Sequence, residues 1–452
     1  MLSDPRPRQN PILITSLVVV MYIGLSGFGL QQDPVSGSTG PIVPTVSSSI
    51  PIQDPSSAQG DQISSDAACV PRAHEAVDFR IRPVSVHFCL VANFILLPVK
   101  LNDTPQPFFL MLDTGAQNFL SPEIVGQLGL KVTGSYLSRG AGNRLVNTAL
   151  TSVETLKIGD LTLQNQPFYV VPLPFALRHG LHPEIVGGIG YQLLRSMAVY
   201  IDYAQRTLTF YPPEIKPPRR SAGQIVVPFF FHERVPVIQG HVDGIPAQFQ
   251  IDTGSDTTLT LFAPFVAHHD LVHFYSPRLH GFAGEGVGGR ETAFFVRTHK
   301  LEIGDQVAMH GITAELLEDK GGIGDEQETS GNIGSAILKQ FNLLFDYPRH
   351  KLYIEKNSHF GQSEVFNRTG LGLRITPLGL KVMSVFEDSP AGEAGIIPGD
   401  IIMAINGHRG ADLDGAFLAR VLRARPGTAM HLDLLRQGIE ENVTIRLRKL
   451  LN

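Results

Sequence analysis

The chain has 452 residues, of which 43% are hydrophobic and 17% charged, and its formal net charge is −5. At about 150 residues per domain this length predicts about three domains, and the hydrophobic content excludes a wholly disordered chain. No basic excess is present to neutralise phosphates, so we expect no nucleic-acid partner. The 45 Gly and 32 Pro favour turns and short strands, and two cysteines exclude both a disulfide scaffold and a multi-cysteine zinc module.

The N-terminus has the pattern of an export signal. Arg6 and Arg8 precede the uncharged apolar stretch 11–30, which is long enough to cross a bilayer. Residues 1–30 are therefore predicted to be a signal peptide or a membrane anchor, and both alternatives stay open. Because Lys and Arg are absent between residues 30 and 72, the body is expected outside the cytoplasm, whether periplasmic, secreted or membrane-anchored.

A polar segment follows the apolar stretch. Residues 31–75 are dominated by Ser, Pro, Gly, Gln and Asp, a composition that cannot bury a core and predicts a disordered linker. In an oxidising compartment Cys69 and Cys89 could form a disulfide bond. Two separate buried thiols are the alternative reading of the same two residues.

An internal repeat divides the next part of the chain. Short apolar runs bounded by Gly, Pro and polar turns are typical of strands. The sequence FFLMLDTGAQNFLS around Asp113 recurs as AQFQIDTGSDTTLT around Asp252, and LKIGD at 156–160 recurs as LEIGD at 301–305. Residues 184–211 (EIVGGIGYQLLRSMAVYIDYAQRTLTFY) align without gaps with residues 328–355. Three matching blocks in the same order indicate a duplication at a period far too long for a solenoid. We therefore predict two homologous β lobes, at 76–212 and 224–357.

Each lobe contains one Asp-Thr-Gly motif at the end of an apolar strand, beginning at Asp113 and at Asp252. Asp supplies a carboxylate, Thr a hydroxyl that can bond across to the matching loop, and Gly a sharp turn with a close approach. Two carboxylates brought side by side cannot both ionise, so they share one proton. One then activates water as a general base while the other donates its proton to the scissile carbonyl.

These features resemble the pepsin and retropepsin clan of aspartic peptidases, in its bacterial retropepsin-like form, over about residues 90–355. The resemblance implies a bilobal, mostly β hydrolase that uses Asp113 and Asp252 as its catalytic pair and has no cofactor or metal. The family's second signature, two apolar residues and Gly, is matched loosely by Gly188-Ile189-Gly190 and Asn332-Ile333-Gly334. The implied supporting residues of the active-site loops are Thr114, Gly115, Thr253, Gly254 and Ser255.

The two lobes differ directly after the motif, where Ala116 follows the first and Ser255 the second. A serine at this position can hydrogen-bond the outer carboxylate oxygen and favour the charged form. The sequence therefore predicts that Asp252 ionises first and that Asp113 more often holds the shared proton.

Peptidases of this clan cover their cleft with Gly-rich hairpin flaps, and small residues suit such a mobile lid. An ordinary flexible loop is the alternative reading at each of the two candidate segments. The flap candidates are Gly140, Gly142, Gly284 and Gly286. A histidine-rich segment of the second lobe offers possible metal ligands at helical spacing, but no further ligand at a suitable spacing supports it, so no metal site is predicted there. Its residues are His268, His269, Asp270 and His273.

The C-terminal residues 369–450 combine short β runs with one helical stretch, predicted at 412–424. Through motifs such as Ser389-Pro390-Ala391 and Asn406-Gly407 they resemble a PDZ domain of the kind found in bacterial envelope proteases. The resemblance implies that backbone N–H groups of one loop hold a peptide's terminal carboxylate while the following strand pairs with the peptide. The loop residues are Gly370, Leu371, Gly372 and Leu373. A packing domain with an occluded groove is the alternative.

The sequence thus predicts two homologous retropepsin-like β-barrel lobes with a C-terminal PDZ domain. The expected function is that of an exported aspartic endopeptidase, acting on peptide or protein substrates that its PDZ domain recruits or whose cleavage it regulates. A catalytically inactive envelope protein that binds peptides in the cleft and in the PDZ groove is the alternative.

Overall fold

A computed structural model describes residues 82–451, except residues 182, 219–222, 305, 319–321 and 363. The predicted signal peptide or anchor (1–30), the predicted linker (31–75) and Cys69 lie outside the described residues, so these interpretations and the pairing with Cys89 stay predictions. Within the described part of the chain, no helix is long and apolar enough to cross a membrane.

The first lobe is built on an eight-stranded sheet. Three further strands in this part of the chain belong to a separate sheet, which the first lobe shares with the second. The strands of this part are β1 (Val84–His87), β2 (Cys89–Val91), β3 (Phe94–Leu101), β4 (Phe108–Leu112), β5 (Phe119–Leu120), β6 (Thr133–Ser138), β7 (Val146–Ile158), β8 (Leu161–Val170), β9 (Ile185–Ile189), β10 (Ala198–Asp202) and β11 (Thr207–Tyr211). The helices are α1 (Pro122–Gln127), α2 (Phe175–His179) and α3 (Tyr191–Leu194). The sheet order is β2-β3-β4-β9-β5-β8-β7-β6, and β3 also pairs with β7.

The second lobe repeats this plan in a ten-stranded sheet of order β17-β18-β21-β16-β22-β15-β14-β19-β20, with a further strand, β13, paired to β14. After β12 (Ile225–Pro228), its strands are β13 (Phe230–His232), β14 (Val235–Val242), β15 (Ile245–Asp252), β16 (Leu259–Leu261), β17 (Leu279–Gly286), β18 (Gly289–Arg297), β19 (Lys300–Ile303), β20 (Val307–His310), β21 (Thr313–Leu317) and β22 (Gly331–Gly334). Its helices are α4 (Ala263–His268), α5 (Leu271–Phe274) and α6 (Ser335–Leu338), with a 3-10 turn at Gly322–Asp325. The parallel pairs β4–β9 and β5–β8 of the first lobe recur here as β15–β22 and β16–β21.

A six-stranded sheet joins the two lobes. It adds β23 (Phe341–Asp346) and β24 (Lys351–Lys356), separated by a 3-10 turn at Tyr347–Arg349, and runs in the order β1-β11-β10-β23-β24-β12. The central antiparallel pair, β10 with β23, places Val199 opposite Phe345, and both side chains are buried in the core that the two lobes share. The predicted duplication therefore forms one bilobal body, which confirms the predicted fold class.

The C-terminal domain has a six-stranded sheet of order β25-β26-β27-β29-β30, with one short strand, β28, paired to β27. Its elements are β25 (Leu371–Thr376), β26 (Gly379–Val385), α7 (Pro390–Glu393), β27 (Ile401–Ile405), β28 (His408–Arg409), α8 (Gly415–Val421), β29 (Ala429–Arg436) and β30 (Ile439–Arg446). The helix predicted at 412–424 is too long at both ends. Asp414 caps α8 by accepting a hydrogen bond from the Phe417 N–H, and a 3-10 turn at Gly410–Asp412 precedes it.

We expect the shared sheet to carry much of the stability of the two lobes. Replacing the buried Phe345 by Ala removes an aromatic side chain from the core, so the free energy of unfolding should fall by about 3–5 kcal/mol. The exposed Lys351 of the adjacent strand is the matched control, and Lys351→Ala should change that free energy by less than about 0.5 kcal/mol. Chemical denaturation measures the free energy of unfolding of both variants. Equal losses in the two variants would contradict a stabilising role for the core of the shared sheet.

Candidate active site

The two motif aspartates end corresponding strands. Asp113 follows β4, and its backbone N–H donates to the Ile189 carbonyl of the parallel strand β9 at 2.9 Å. Asp252 is the last residue of β15, which pairs in parallel with β22. Both carboxylates have no exposed surface. The same strand arrangement thus delivers one buried carboxylate from each lobe.

Reciprocal hydrogen bonds between two threonines lock the two loops together. The Thr114 N–H donates to Thr253 Oγ1 and the Thr253 N–H donates to Thr114 Oγ1, both at 3.0 Å. Each hydroxyl in turn donates to a carbonyl of the other lobe, Thr114 to Ile251 at 2.7 Å and Thr253 to Leu112 at 2.8 Å. Four hydrogen bonds across the lobe interface therefore fix the separation of the two aspartates, as the sequence predicted for these threonines.

The motif glycines allow each loop to touch the opposite carboxylate. A Cβ atom on Gly115 would lie 2.4 Å from Asp252 Cγ, and one on Gly254 would lie 2.2 Å from Asp113 Cγ. Each glycine N–H also donates to the carboxylate of its own motif, at 3.0 Å to Asp113 Oδ1 and 2.8 Å to Asp252 Oδ1. Only glycine fits at these two positions. Each carboxylate therefore lies against the motif loop of the opposite lobe.

Burial and mutual repulsion set the protonation of the pair. Burial away from water raises the pKa of Asp113 well above its ordinary value, and the charge of the neighbouring Asp252 raises this pKa further. Burial also raises the pKa of Asp252, but only to about 6, because hydrogen bonds from the Gly254 N–H, from Asp113 and from Asn332 favour its charged form. Asp252 is therefore the first of the two to ionise, and Asp113 retains the shared proton.

This direction agrees with the sequence-based prediction, but the residue given as its cause was wrong. The Ser255 hydroxyl lies 2.8 Å from Thr257 Oγ1, so it stabilises the turn after the motif instead of the carboxylate. The side-chain amide of Asn332 donates to Asp252 Oδ2 at 3.2 Å. A donor on β22 therefore supplies the asymmetry between the lobes.

The position that matches Asn332 in the first lobe is Gly188, and the two environments differ. A Cβ atom on Gly188 would lie 2.3 Å from the ring of Phe119, so this ring excludes a polar side chain there. Asn332 is fully buried, and a buried amide that points at one carboxylate acts on that carboxylate alone. The sequence shows that both Gly188 and Asn332 interrupt an apolar signature. This departure does not indicate which group the Asn332 amide contacts.

The flap candidates lie in hairpins of both lobes. Gly140 and Gly142 lie between β6 and β7, whereas Gly284 and Gly286 lie in β17, whose hairpin with β18 turns at 286–289. We call the loop 139–145 the first flap and the hairpin 279–297 the second flap.

The tips of the two flaps are in contact. The Gly288 N–H donates to the Ala141 carbonyl at 2.6 Å, and the Arg144 N–H donates to the Gly288 carbonyl at 3.0 Å. Gly142 adopts φ +104°, where glycine is favoured, and its N–H donates to Glu291 Oε1 at 2.9 Å. The two candidate segments are thus brought together by backbone hydrogen bonds between the lobes.

The predicted carboxylate-binding loop of the C-terminal domain is buried. Leu371 has no exposed surface and Leu373 is 3% exposed, and helix α2 of the first lobe lies against strand β25. Gly370 has φ +84°, and a Cβ atom there would lie 2.1 Å from the Cβ of Ser389. The structure therefore places these residues at a contact between domains.

One cluster of possible metal ligands was not singled out in the sequence. Side-chain atoms of His232, Glu233 and Glu326 lie within 4.8 Å of one another. His232 Nε2 lies 3.3 Å from Glu326 Oε2 and Nδ1 lies 3.1 Å from Glu328 Oε2, and the contact with Glu326 raises the pKa of His232. Ion pairing of His232 with these carboxylates accounts for the arrangement.

Comparison with known families agrees with this geometry. Residues 97–193 match the family model described as aspartyl protease, and residues 360–447 match that described as PDZ domain. No curated protein matches the chain. The first match includes Asp113, whereas Asp252 belongs to the second lobe, whose likeness to the first is the repeated motif and strand order.

The threonine contacts predict a large effect for a small substitution. Thr114→Val removes the hydroxyl and leaves the buried Thr253 N–H without its acceptor, so the free energy of unfolding should fall by about 1–3 kcal/mol. Thr133→Val is the control, because the Thr133 hydroxyl is exposed and makes only a 3.4 Å contact. Denaturation curves that show the same small change for both variants would contradict a structural role for the interlocked hydroxyls.

Proposed function

We propose that this chain, which carries an aspartyl protease domain and a C-terminal PDZ domain, is an aspartic endopeptidase with its complete catalytic pair in one polypeptide. The observation that carries the proposal is the pair of buried carboxylates, Asp113 and Asp252, held against each other's loops by the reciprocal Thr114–Thr253 hydrogen bonds. Two carboxylates in such a site share one proton, which is the arrangement needed for general acid–base hydrolysis.

The asymmetry of the pair assigns the two chemical roles. Asp252, whose charged form accepts the Asn332 amide, acts as the general base that removes a proton from the attacking water. Asp113 donates its proton to the scissile carbonyl oxygen as the tetrahedral intermediate forms. The proton taken by Asp252 then passes to the leaving amide nitrogen while the carbon–nitrogen bond breaks and Asp113 recovers its own proton.

The two flaps provide the lid for this chemistry. Their tips are joined by hydrogen bonds between Ala141, Arg144 and Gly288, so a substrate enters only after these bonds open. Closure around the bound peptide excludes water other than the attacking molecule and strengthens the interactions of the charged groups. Backbone hydrogen bonds at glycine-rich tips can break and reform without rearranging a core.

The N-terminal pattern supports an extracytoplasmic location for the peptidase. A cationic head and an apolar stretch at 11–30 direct export, by cleavage as a signal peptide or by anchoring in the membrane. In this proposal the PDZ domain binds peptide C-termini and thereby recruits substrate or regulates its cleavage.

Cleavage of an unbiased peptide library tests the proposed function. The wild-type chain should cleave, and Asp113→Asn or Asp252→Asn should each reduce the rate by about 10³-fold or more, because neither carboxylate can do both proton transfers. Asp103→Asn is the matched control, since Asp103 is an exposed residue of the first lobe and its replacement should leave the rate unchanged.

Two outcomes would contradict the proposal. Cleavage that survives both catalytic substitutions would place the chemistry elsewhere. A folded wild-type chain that cleaves no peptide between about pH 3 and pH 8 but still binds peptides would instead support the catalytically inactive, peptide-binding alternative.

The pH–rate profile tests the roles of the two carboxylates. Hydrolysis requires one ionised member, so the rate should rise with pH through the first ionisation of the pair, with a midpoint near the Asp252 pKa of about 6. Asn332→Leu removes the amide donor, which raises that pKa, and the acid limb should move to higher pH. Ser255→Ala should leave the limb in place, because Ser255 bonds Thr257. An acid limb that moves with Ser255→Ala and not with Asn332→Leu would reverse the assignment.

A further inference from the structure

The edge of the PDZ sheet is covered by a segment of the first lobe. Strand β25 forms one edge of its sheet, and PDZ domains bind a peptide by adding it to the strand that follows the carboxylate-binding loop. Helix α2 lies against this strand. We call residues 174–181, which comprise α2 and its flanks, the covering segment.

Apolar side chains and one backbone hydrogen bond hold the covering segment in place. Ala176 is 5% exposed, and Leu177 and Leu181 have no exposed surface; all three belong to the same core as the PDZ residues of β25 and α8. The Gly180 carbonyl accepts a hydrogen bond from the Gly415 N–H, at the first turn of α8, with a length of 2.8 Å. The covering segment therefore reaches from β25 to the start of α8.

The second flap contacts both β25 and the neighbouring strand β26. Arg374 of β25 forms an ion pair with Glu285, at 2.7 Å, and the Phe282 N–H donates to Oγ of Ser384 in β26 at 2.9 Å. Phe386 packs against Phe295 of the flap, with ring centroids 5.5 Å apart. Glu285 lies one residue before the turn whose Gly288 bonds the first flap. The PDZ domain thus contacts the covering segment on one lobe and the flap of the other lobe.

We propose that the covering segment occupies the PDZ groove as an internal ligand, and that a peptide with a free, apolar C-terminus competes with it for the edge of β25. The groove accommodates one chain at a time, so binding of the external peptide separates β25 from the covering segment. The PDZ domain also holds the second flap through Arg374, Ser384 and Phe386, so its displacement from the covering segment loosens these contacts and opens the cleft. The consequence for cleavage rests on the proposed function, whereas the competition itself does not.

The apolar character of the expected ligand follows from the residues it replaces. Ala176, Leu177 and Leu181 belong to the same buried apolar cluster as PDZ residues of β25 and α8, so the external peptide must offer apolar side chains to this surface. In this structure the Gly370 N–H donates to Asn367 Oδ1 and the Leu371 N–H donates to Thr369 Oγ1, so the terminal carboxylate of the external peptide must replace these two side-chain acceptors.

Gly415→Pro is the substitution that weakens the attachment of the covering segment to the PDZ domain most selectively. Proline is favoured at the first helical position, and Asp414 before it has φ −79° and ψ 172°, which suits a residue that precedes proline. The substitution removes the N–H that bonds Gly180 and keeps the Asp414 cap on Phe417. Gly415→Ala keeps this N–H and is the matched control.

Binding is measured by fluorescence anisotropy with a labelled decapeptide that ends in Ala-Leu and a free carboxylate. All proteins carry Asp113→Asn, so that no cleavage interferes. The Gly415→Pro chain should bind about threefold to tenfold more tightly than the Gly415→Ala chain, which corresponds to the loss of one internal hydrogen bond. The same decapeptide with a C-terminal amide should bind neither chain measurably. Equal affinities of the two variants for the carboxylate peptide would overturn the competition.

Release of the flap is measured with Asp113 intact, as cleavage of a quenched reporter peptide with and without the carboxylate decapeptide. The decapeptide should raise the wild-type rate, and Arg374→Gln should raise the rate without it, because Glu285 is no longer held. Arg409→Gln is the control, because Arg409 of β28 forms an ion pair with Asp433 of β29 and not with the flap. The cleavage rate of this variant should match that of the wild type.

The binding experiment tests the competition for β25, and the cleavage experiment tests its coupling to the second flap. Tighter binding by Gly415→Pro without any rate increase from the decapeptide would overturn the coupling to the flap. If no variant cleaved any peptide, the proposed function would fail, and the anisotropy comparison would still decide whether the covering segment is an internal ligand.

Discussion

The reciprocal hydrogen bonds between Thr114 and Thr253 hold the two aspartate loops together and thereby limit how the two lobes can be arranged. Two loops from different lobes can exchange these bonds only if their backbones nearly touch. This proximity requires glycine at positions 115 and 254, because a Cβ atom there would overlap the opposite carboxylate. It also requires the lobes to keep a fixed relative position, which the shared six-stranded sheet provides through its β10–β23 pair.

The same constraint produces the chemistry of the site. Carboxylates that are packed so closely lose their solvent and repel each other, so the pKa values of both rise and one proton is shared. A symmetric pair would divide this proton equally. The buried amide of Asn332 breaks the symmetry in favour of an ionised Asp252, and the ring of Phe119 excludes such an amide from the matching position in the first lobe. The duplication supplies the pair of carboxylates, and the difference between Asn332 and Gly188 distinguishes one carboxylate from the other.

The sequence was sufficient for the fold class and for the juxtaposition of the two aspartates, because the repeat and the Asp-Thr-Gly motifs are local patterns that duplication preserves. It was insufficient where the answer depends on packing between distant segments. Ser255 was given the role that Asn332 has, since spacing along the chain does not indicate which polar atom reaches a carboxylate. Leu177 and Leu181 look like ordinary core residues in sequence, yet they cover the edge of a second domain.

If one chain contains a complete catalytic site, two variants that each lack one aspartate should not restore activity to each other when they are mixed. Asp113→Asn and Asp252→Asn chains are each assayed alone and then together, over a wide concentration range, beside the wild type. We expect the wild-type rate per chain to be independent of concentration and the mixture to remain inactive, because each chain lacks one carboxylate of its own pair. Recovery of activity on mixing would contradict this account, since it would show that the aspartates pair between chains.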